Sequence, residues 1–303
     1  MKNLYKSIFI LSCIFSSHAG FSQEVSMNTN ASDATINCSA TGESEDTQSN
    51  TSQVFKLNPK VDIPLTAVSA GWSVYCMTKV YNKGGSTEAQ ILSLNKNNIN
   101  SFDRWAVTPY NAGLDKMSYI PFYAAIPLPL AFFLTGDEMR SDFLKLTFLY
   151  FETLSITGLF GYSAVYFVDR YRPYAYVHSD AASLNEGMGQ NAKNSFYAGH
   201  VEVIATSTFF MSEVYASYYP DSKIKWLFFG LSGVATAGMG YIRLNAGEHF
   251  PSDIILGGVV GGLSGILVPY FHRNKFFKST HLSLSPFNNG SANGLSMVYK
   301  FNK

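Results

Sequence analysis

The chain has 303 residues, enough for one large domain or two modest ones, and 47% of them are hydrophobic while 14% are charged. So low a charged fraction is unusual for a soluble protein and brings a membrane into consideration. The formal net charge is +1 and Lys and Arg form no cluster, so nucleic acid is excluded as an expected partner.

Residues 1–22 are typical of an export signal, because two lysines precede an apolar run that small or polar residues follow. An alternative takes Cys13 as a lipoprotein processing site, although the apolar stretch before it is short. Residues 23–60 are predicted to be a flexible exported leader, since most of this segment is rich in Ser, Thr and Asn and can bury little. Cys38 and Cys76 remain after cleavage, as one disulfide or as two free thiols.

Long apolar segments follow, each near the roughly 20 residues that a helix needs to cross a bilayer. They lie at 118–135, 141–168, 197–219, 224–243 and 253–271. Residues 61–117 are interpreted as a possible first span, Ile63 to Tyr81, and a polar loop. Residues 118–272 are predicted to be the helical bundle, and the tail at 273–303 alternates like a possible β-hairpin. The predicted fold is therefore all-α: a polytopic membrane helical bundle of five or six spans with a short strand-like C-terminal tail.

Cationic residues mark one end of these helices, and cytoplasmic loops are enriched in Lys and Arg. They are Arg140, Lys145, Lys223, Lys225, Arg273, Lys275 and Lys278. This pattern predicts a protein of the bacterial cell envelope, in the inner membrane, with residues 169–196 and 244–252 facing the periplasm. A cleaved signal and five spans agree with that orientation. A full sixth span at 63–81 reverses it, unless the N-terminal signal is retained as an anchor.

Three polar stretches lie at the other end of the predicted helices, at 169–173, 194–200 and 243–253. Within them, Arg172 and Arg243 can bind phosphate oxygens through two nitrogens each and stabilise the charge of a transition state. One imidazole can attack while another protonates the leaving oxygen, and His200 suits the second role. His249 and Asp253 are four residues apart, so the carboxylate can orient the ring and leave one nitrogen free. The set indicates displacement at phosphorus.

The stretches resemble the type 2 phosphatidic acid phosphatase superfamily, which also includes bacterial acid phosphatases and vanadium haloperoxidases. The family signature reads Lys, six residues, Arg-Pro; then Pro-Ser-Gly-His; then Ser-Arg, five residues, His, three residues, Asp. The matching positions are Arg172-Pro173, Gly199-His200, Arg243, His249 and Asp253, within roughly residues 100 to 272. The resemblance implies that His249 is the nucleophile, Asp253 its orienting carboxylate and His200 the acid for the leaving group. Arg172 and Arg243 would then bind the phosphate.

Three positions depart from that signature, where Val165, Ala198 and Ile242 stand in place of a Lys and two Ser residues. The Gly199 amide at a helix start could still donate to an anion. Arg170 could replace part of the missing Lys charge. No cofactor is expected, and no metal at this site, because it lacks a cluster of Asp, Glu or Cys suited to a divalent ion.

These observations predict a metal-independent phosphatase that hydrolyses phosphate monoester or diphosphate groups on lipids through a phosphohistidine. Its expected partners are the lipid phosphate and the bilayer, and the pattern does not indicate an oligomeric state. Two alternatives stay open: a vanadate-dependent haloperoxidase-like enzyme and a non-catalytic member that binds lipid phosphates. The long apolar segments argue against the first, because the haloperoxidase relatives are soluble.

Some ionisable residues lie outside the matched positions. His178, His272 and His281 are interpreted as solvated polar groups. Glu152, Glu202 and Glu213 fall within apolar segments, where an ionised side chain costs several kcal/mol unless it meets water or a partner. Glu202 follows His200 by two residues and could line the mouth of the site.

Overall fold

The computed structural model describes residues 53–273 and the backbone of two strands at 282–288 and 293–299. The predicted signal, Cys13, Cys38, Lys275, Lys278 and His281 lie outside the described residues. The α-helices are α1 Pro59–Val80, α2 Glu88–Leu92, α3 Ser101–Arg104, α4 Ala112–Ala125, α5 Leu128–Phe133, α6 Asp137–Ser141, α7 Phe143–Phe167, α8 Ala181–Met188, α9 Gly199–Tyr218, α10 Ile224–Asn245 and α11 Pro251–Phe271. Short 3-10 turns lie at Lys96–Asn98, Pro173–Tyr176 and Gln190–Lys193. Strands β1 Leu282–Asn288 and β2 Asn293–Tyr299 pair in antiparallel fashion, with Leu282 opposite Tyr299.

The long helices run between the same two ends of the bundle. Val80 at the end of α1, Val165 near the end of α7, Gly199 at the start of α9 and Arg243 near the end of α10 all line one cavity. We call this the cavity end, and the other the far end. Helix α1 packs along α7 and has its first turn at the far end, near His272. The possible first span, Ile63 to Tyr81, therefore lies almost entirely within a helix that runs the full length of the bundle.

The predicted continuous span at 118–135 is wrong. The chain forms α4 and then α5, separated at Ile126 and Pro127. Proline has no N–H to donate and its ring displaces the preceding turn, so Pro127 and Pro129 interrupt the helix. Tyr150 of α7 donates its hydroxyl to the freed carbonyl of Ile126 at 3.0 Å.

Three helices of the described chain are long and apolar enough to cross a membrane: α7, α10 and α11. Their outer faces carry large exposed apolar residues, such as Leu227, Leu231 and Val234 on α10. Helix α9 has 20 residues but is more polar, and most of it is buried between its neighbours. The coarse prediction of a helical bundle with apolar, membrane-length helices is thereby confirmed.

Glycines of α11 allow this helix to approach the backbone of α9. Gly257, Gly261 and Gly265 recur every four residues, so they lie on one face. A Cβ on Gly257 would lie 2.7 Å from the carbonyl oxygen of Ala198, and one on Gly265 would lie 2.6 Å from that of Thr206. No larger residue fits here unless the helices separate, which is the small-residue packing common between membrane helices.

Residues at the end of the predicted leader belong to the fold. Phe55 is fully buried in an apolar cluster and pairs by a β-bridge with Arg273, while the amide of Lys56 donates to the carbonyl of His272 at 2.8 Å. The fold therefore already includes residues before position 60, and burial of Phe55 contributes to its stability.

We predict that Gly265→Ala lowers the thermal stability of the protein in detergent. The added methyl group would collide with the Thr206 carbonyl, and overpacking of this kind costs about 1–3 kcal/mol. The matched control is Gly233→Ala on α10, where a Cβ would have nothing within 4 Å. A melting temperature that falls in both variants, or in neither, would contradict the close approach of α9 and α11.

Candidate active site

A cavity of about 300 Å³ opens at the cavity end of the bundle. Five of the residues singled out from the sequence line it together: Arg172, Gly199, His200, Arg243 and His249. They come from the loop after α7, the start of α9, the end of α10 and the loop before α11. Segments up to 77 residues apart in sequence therefore meet at one point, because helices of alternating direction return their ends to the same face.

Arg243 is the most deeply buried cation of the site, with 1% of its surface exposed. Its Nη1 donates to Asp115 at 2.6 Å and to the Ser118 hydroxyl at 2.9 Å. Both partners lie on α4; Ser118 begins the segment that was predicted as a span, and Asp115 belongs to the predicted polar loop before it. A buried guanidinium needs such acceptors, since an isolated charge in the interior is costly.

Glu248 joins the two arginines of the cavity. Its Oε2 accepts from Nη2 of Arg243 at 2.8 Å and forms an ion pair with Nη1 of Arg172. The residue is 3% exposed and lines the cavity. A carboxylate thus lies where both guanidiniums could hold an anion. Glu248 was not predicted from the sequence, although its position inside the matched stretch, directly before His249, was a usable signal.

His249 reaches the cavity because α10 ends in a left-handed turn. Gly247 has φ +73°, a conformation that glycine adopts without strain at a helix C-terminus. Nδ1 of His249 lies 2.7 Å from the carbonyl oxygen of Ser195 and donates to it, so Nε2 carries the lone pair. Burial, together with the nearby Arg243 and Arg172 guanidiniums, holds the pKa of His249 well below its ordinary value. The ring is therefore neutral and nucleophilic at neutral pH.

Asp253 does not bond directly to His249, so that expected contact is wrong. Its Oδ2 accepts from the Ser195 hydroxyl at 2.7 Å and from the Phe250 amide at 3.0 Å. Asp253 begins α11 and Ser195 precedes α9, so their contact fixes the carbonyl that orients the His249 ring. The carboxylate acts on the histidine through Ser195.

Arg170 does not line the cavity, so its expected role as a phosphate ligand is also wrong. Its Nη1 pairs with Asp253 and its Nη2 donates to Asp103 at 2.7 Å. The guanidinium also stacks 4.4 Å from the centre of the Phe250 ring. Arg170 is held by two carboxylates behind the site and supports the start of α11.

Asp103, in the short helix α3, completes that support. It is fully buried and accepts from the amide of Ser252 at 3.0 Å and from its hydroxyl at 2.6 Å. Burial by itself raises the pKa of Asp103, but hydrogen bonds from Ser252, Asn100 and Arg170 together lower it. The carboxylate stays ionised at the N-terminus of α11, where the helix dipole favours a negative charge.

His200 lies in the first turn of α9 and packs against aromatic residues of α4. Its ring centroid is 4.8 Å from that of Tyr119 and 4.5 Å from that of Phe122. Glu202 also lines the cavity, where it accepts a hydrogen bond from Tyr197 at 2.6 Å.

Three buried nitrogens of this cavity have no hydrogen-bond partner within residues 53–273. They are Nε of Arg172, Nε of Arg243 and Nε2 of His200. Buried donors without a partner are rare, and at a cavity they indicate the place of a polar ligand.

The positions that depart from the family signature are partly compensated. Val165 lines the cavity, and the ammonium of Lys83 donates to its carbonyl at 2.6 Å and to Asp169 at 2.7 Å. Lys83, from the loop after α1, thus brings a cation beside Val165, although it does not itself line the cavity. At Ala198, α9 starts without a side-chain cap, and a Cβ on Gly199 would meet nothing within 4 Å. The start of α9 therefore remains open to an anion.

Comparison with known families agrees with this geometry. Comparison with curated proteins and with solved structures gave no match. A family model described as the PAP2 superfamily matches residues 146–277, a range that contains all seven site residues predicted from the sequence. Residues 146–277 are therefore similar to the PAP2 superfamily, the type 2 phosphatidic acid phosphatase superfamily that the motif residues resemble.

Proposed function

We propose that the protein hydrolyses phosphate monoester or diphosphate groups on lipids through a phosphohistidine at His249. The observation that carries this proposal is the set of unpartnered buried nitrogens on Arg172, Arg243 and His200, three side chains that line one cavity together with His249. Donors arranged in advance around a phosphoryl group stabilise the charge that develops in its transfer. The PAP2 superfamily includes lipid phosphatases.

In the first step, Nε2 of His249 attacks phosphorus while the bond from phosphorus to the leaving oxygen breaks. That oxygen takes a proton from His200, which becomes neutral. Burial and the Arg243 and Arg172 guanidiniums lower the pKa of His200 in the empty cavity, so the negative charge of the bound phosphate must stabilise this proton. In the second step, His200 removes a proton from water, and the water oxygen attacks the phosphohistidine. The bond between nitrogen and phosphorus breaks, inorganic phosphate forms, and His249 returns to its neutral state.

A lipid is the substrate class that suits the surroundings of this cavity. About 300 Å³ holds a phosphate or diphosphate head group but not long hydrocarbon chains. Large apolar residues are exposed along the long helices, and soluble proteins rarely leave such continuous surfaces uncovered. The chains of the substrate would remain in the bilayer while the head group enters the bundle.

We predict that His249→Ala lowers phosphatase activity by at least about 10³-fold, because the atom that forms the covalent bond is lost. Acid-quenched wild-type enzyme should carry labelled phosphate on His249.

His200→Ala should lower phosphatase activity on an alkyl phosphate by about 10²–10⁴-fold, the usual contribution of a general acid. With an aryl phosphate, whose leaving group needs no proton, His200→Ala should still form the phosphoenzyme and His249→Ala should not.

The matched control is His178→Ala, since His178 does not line the cavity. Its activity and label should equal those of the wild type. Label on another residue, or wild-type rates in His249→Ala, would exclude this mechanism.

We predict that Glu248→Gln strengthens inhibition by vanadate, which can adopt the five-coordinate shape of the transition state. The native carboxylate competes with an anion for Arg172 and Arg243, and like charges side by side cost several kcal/mol. The inhibition constant should fall about tenfold or more. Glu186→Gln is the control, because Glu186 lines the same cavity without pairing with either arginine. Weaker inhibition in Glu248→Gln would mean that the carboxylate serves to orient the guanidiniums.

We also propose that the site faces the periplasm of a bacterial inner membrane. The support is the set of cationic residues at the far end, which include Arg140, Lys223 and Arg273. Because α1 runs from the far end to the cavity end, this orientation requires that the chain before α1 lies on the cytoplasmic side. Residues 1–22 would then be either an uncleaved anchor whose N-terminus faces the periplasm or a segment that is not exported.

Cysteine labelling tests the orientation after replacement of the native cysteines. Ser179 near the cavity end and Asp221 at the far end are both exposed, so each can report. We predict that Ser179→Cys reacts with an impermeant maleimide in intact cells, whereas Asp221→Cys reacts only after lysis. The reverse pattern would mean a cleaved signal and a site that faces the cytoplasm.

A further inference from the structure

Three ionisable side chains meet at the far end of the bundle, away from the cavity. Nε2 of His272 lies 3.5 Å from Oδ1 of Asp62 and 3.6 Å from Oε2 of Glu152. They come from the first turn of α1, the middle of α7 and the C-terminus of α11. His272 lies 23 residues beyond His249, with α11 between them, so about 30 Å separates this cluster from the proposed active site.

Each of the three groups directs an uncommitted atom to the same point. Nδ1 of His272 lies 2.7 Å from the Val268 carbonyl and donates to it, so Nε2 presents its lone pair. Asp62 accepts the Asn58 amide at 2.5 Å through Oδ2 and keeps Oδ1 free for the cluster. Glu152 has no exposed surface, and neither of its carboxylate oxygens has a hydrogen-bond partner in the part of the chain that the structure describes.

A further oxygen lies on the same face of α1. Thr66 follows Asp62 by four residues, which is one helical turn, and both are buried. The Thr66 hydroxyl also has no partner among the described residues.

The spacing and the charge of the cluster fit a cation better than a set of hydrogen bonds. The distances of 3.5 and 3.6 Å from His272 exceed those of ordinary hydrogen bonds. Two ligands of one metal, each about 2.0–2.2 Å from it, lie about 3.3–3.8 Å apart in tetrahedral or trigonal geometry. All the candidate ligand atoms lie within 4.8 Å of one another. When both buried carboxylates are ionised they carry two negative charges, which a divalent cation balances and a single proton on His272 does not.

We propose that Asp62, Glu152 and His272 bind one first-row divalent transition-metal cation, such as Zn²⁺ or Mn²⁺. A nitrogen ligand with carboxylates favours these ions over Ca²⁺ and Mg²⁺, which prefer oxygen alone. The ion joins α1, α7 and α11 at the end of the bundle where no catalytic residue lies. Its role is structural, and phosphoryl transfer at His249 proceeds without it.

The test uses the full chain in detergent, purified through an affinity tag without histidines and freed of metal by chelation. Zn²⁺ or Mn²⁺ is added back, and bound metal and thermal unfolding are measured. The wild type should bind about one equivalent, and its melting temperature should rise by about 5 °C or more when the free ion exceeds its dissociation constant a hundredfold. Ca²⁺ and Mg²⁺ should have little effect at the same concentrations.

Glu152→Gln should lose both the bound metal and the shift, whatever its own melting temperature. Glu213→Gln is the matched control: it alters a buried carboxylate of α9 that pairs with Arg273 and should keep the full response. No bound metal in the wild type, or an equal shift in Glu152→Gln, would overturn the proposal. Phosphatase activity well below the melting temperature should be the same with and without metal, so this test is independent of the proposed reaction.

Discussion

The close approach of α9 and α11 determines the geometry of the candidate site. His200 lies in the first turn of α9 and His249 directly precedes the start of α11, so the distance between these helices sets the distance between the two imidazoles. Gly257 permits contact at the level of Ala198, whose amide donates to the carbonyl of Asp253 at 3.2 Å. Because backbone touches backbone, neither helix can slide without breaking that bond, and the two histidines are held by rigid elements rather than by loops.

Electrostatics explains why carboxylates of the protein lie beside the arginines of the cavity. Arg243 and Arg172 carry like charges into a region of low dielectric, where their repulsion and desolvation would oppose folding. Glu248 and Asp115 offset these charges before any substrate arrives. As a consequence, the Glu248 carboxylate competes with any anion that binds to these guanidiniums. In the proposed reaction, a doubly charged phosphate would replace Glu248 as the partner of both guanidiniums, because its oxygens can accept from Arg172 and Arg243 at once.

The sequence predicted those parts of the site that lie within short matched spacings. His249 and Arg243 are such residues, and the long apolar segments that bring them to one face were also recognised. Partners from distant segments were not predictable: Asp103 lies 149 residues before Ser252, and no periodic pattern links them. Arg170 was assigned the wrong role because its charge could be read from the sequence, whereas the carboxylates around it could not. Likewise, the uniform hydrophobicity of residues 118–135 predicted one continuous helix, whereas Pro127 divides this segment into α4 and α5.

The cost of burying a charge explains why Glu152 was expected to need a partner, although the sequence did not show which one. An ionisable residue in an apolar helix must meet a counter-charge or a ligand. For Glu213 the partner is Arg273, whereas Glu152 has His272 beyond hydrogen-bond distance. His272 had been interpreted as a solvated group because it stands at the end of an apolar segment. Ends of antiparallel helices, however, converge on both faces of a bundle. The same geometry that assembles the cavity at one end therefore brings unrelated helix ends together at the other, where an unsatisfied carboxylate becomes a candidate ligand.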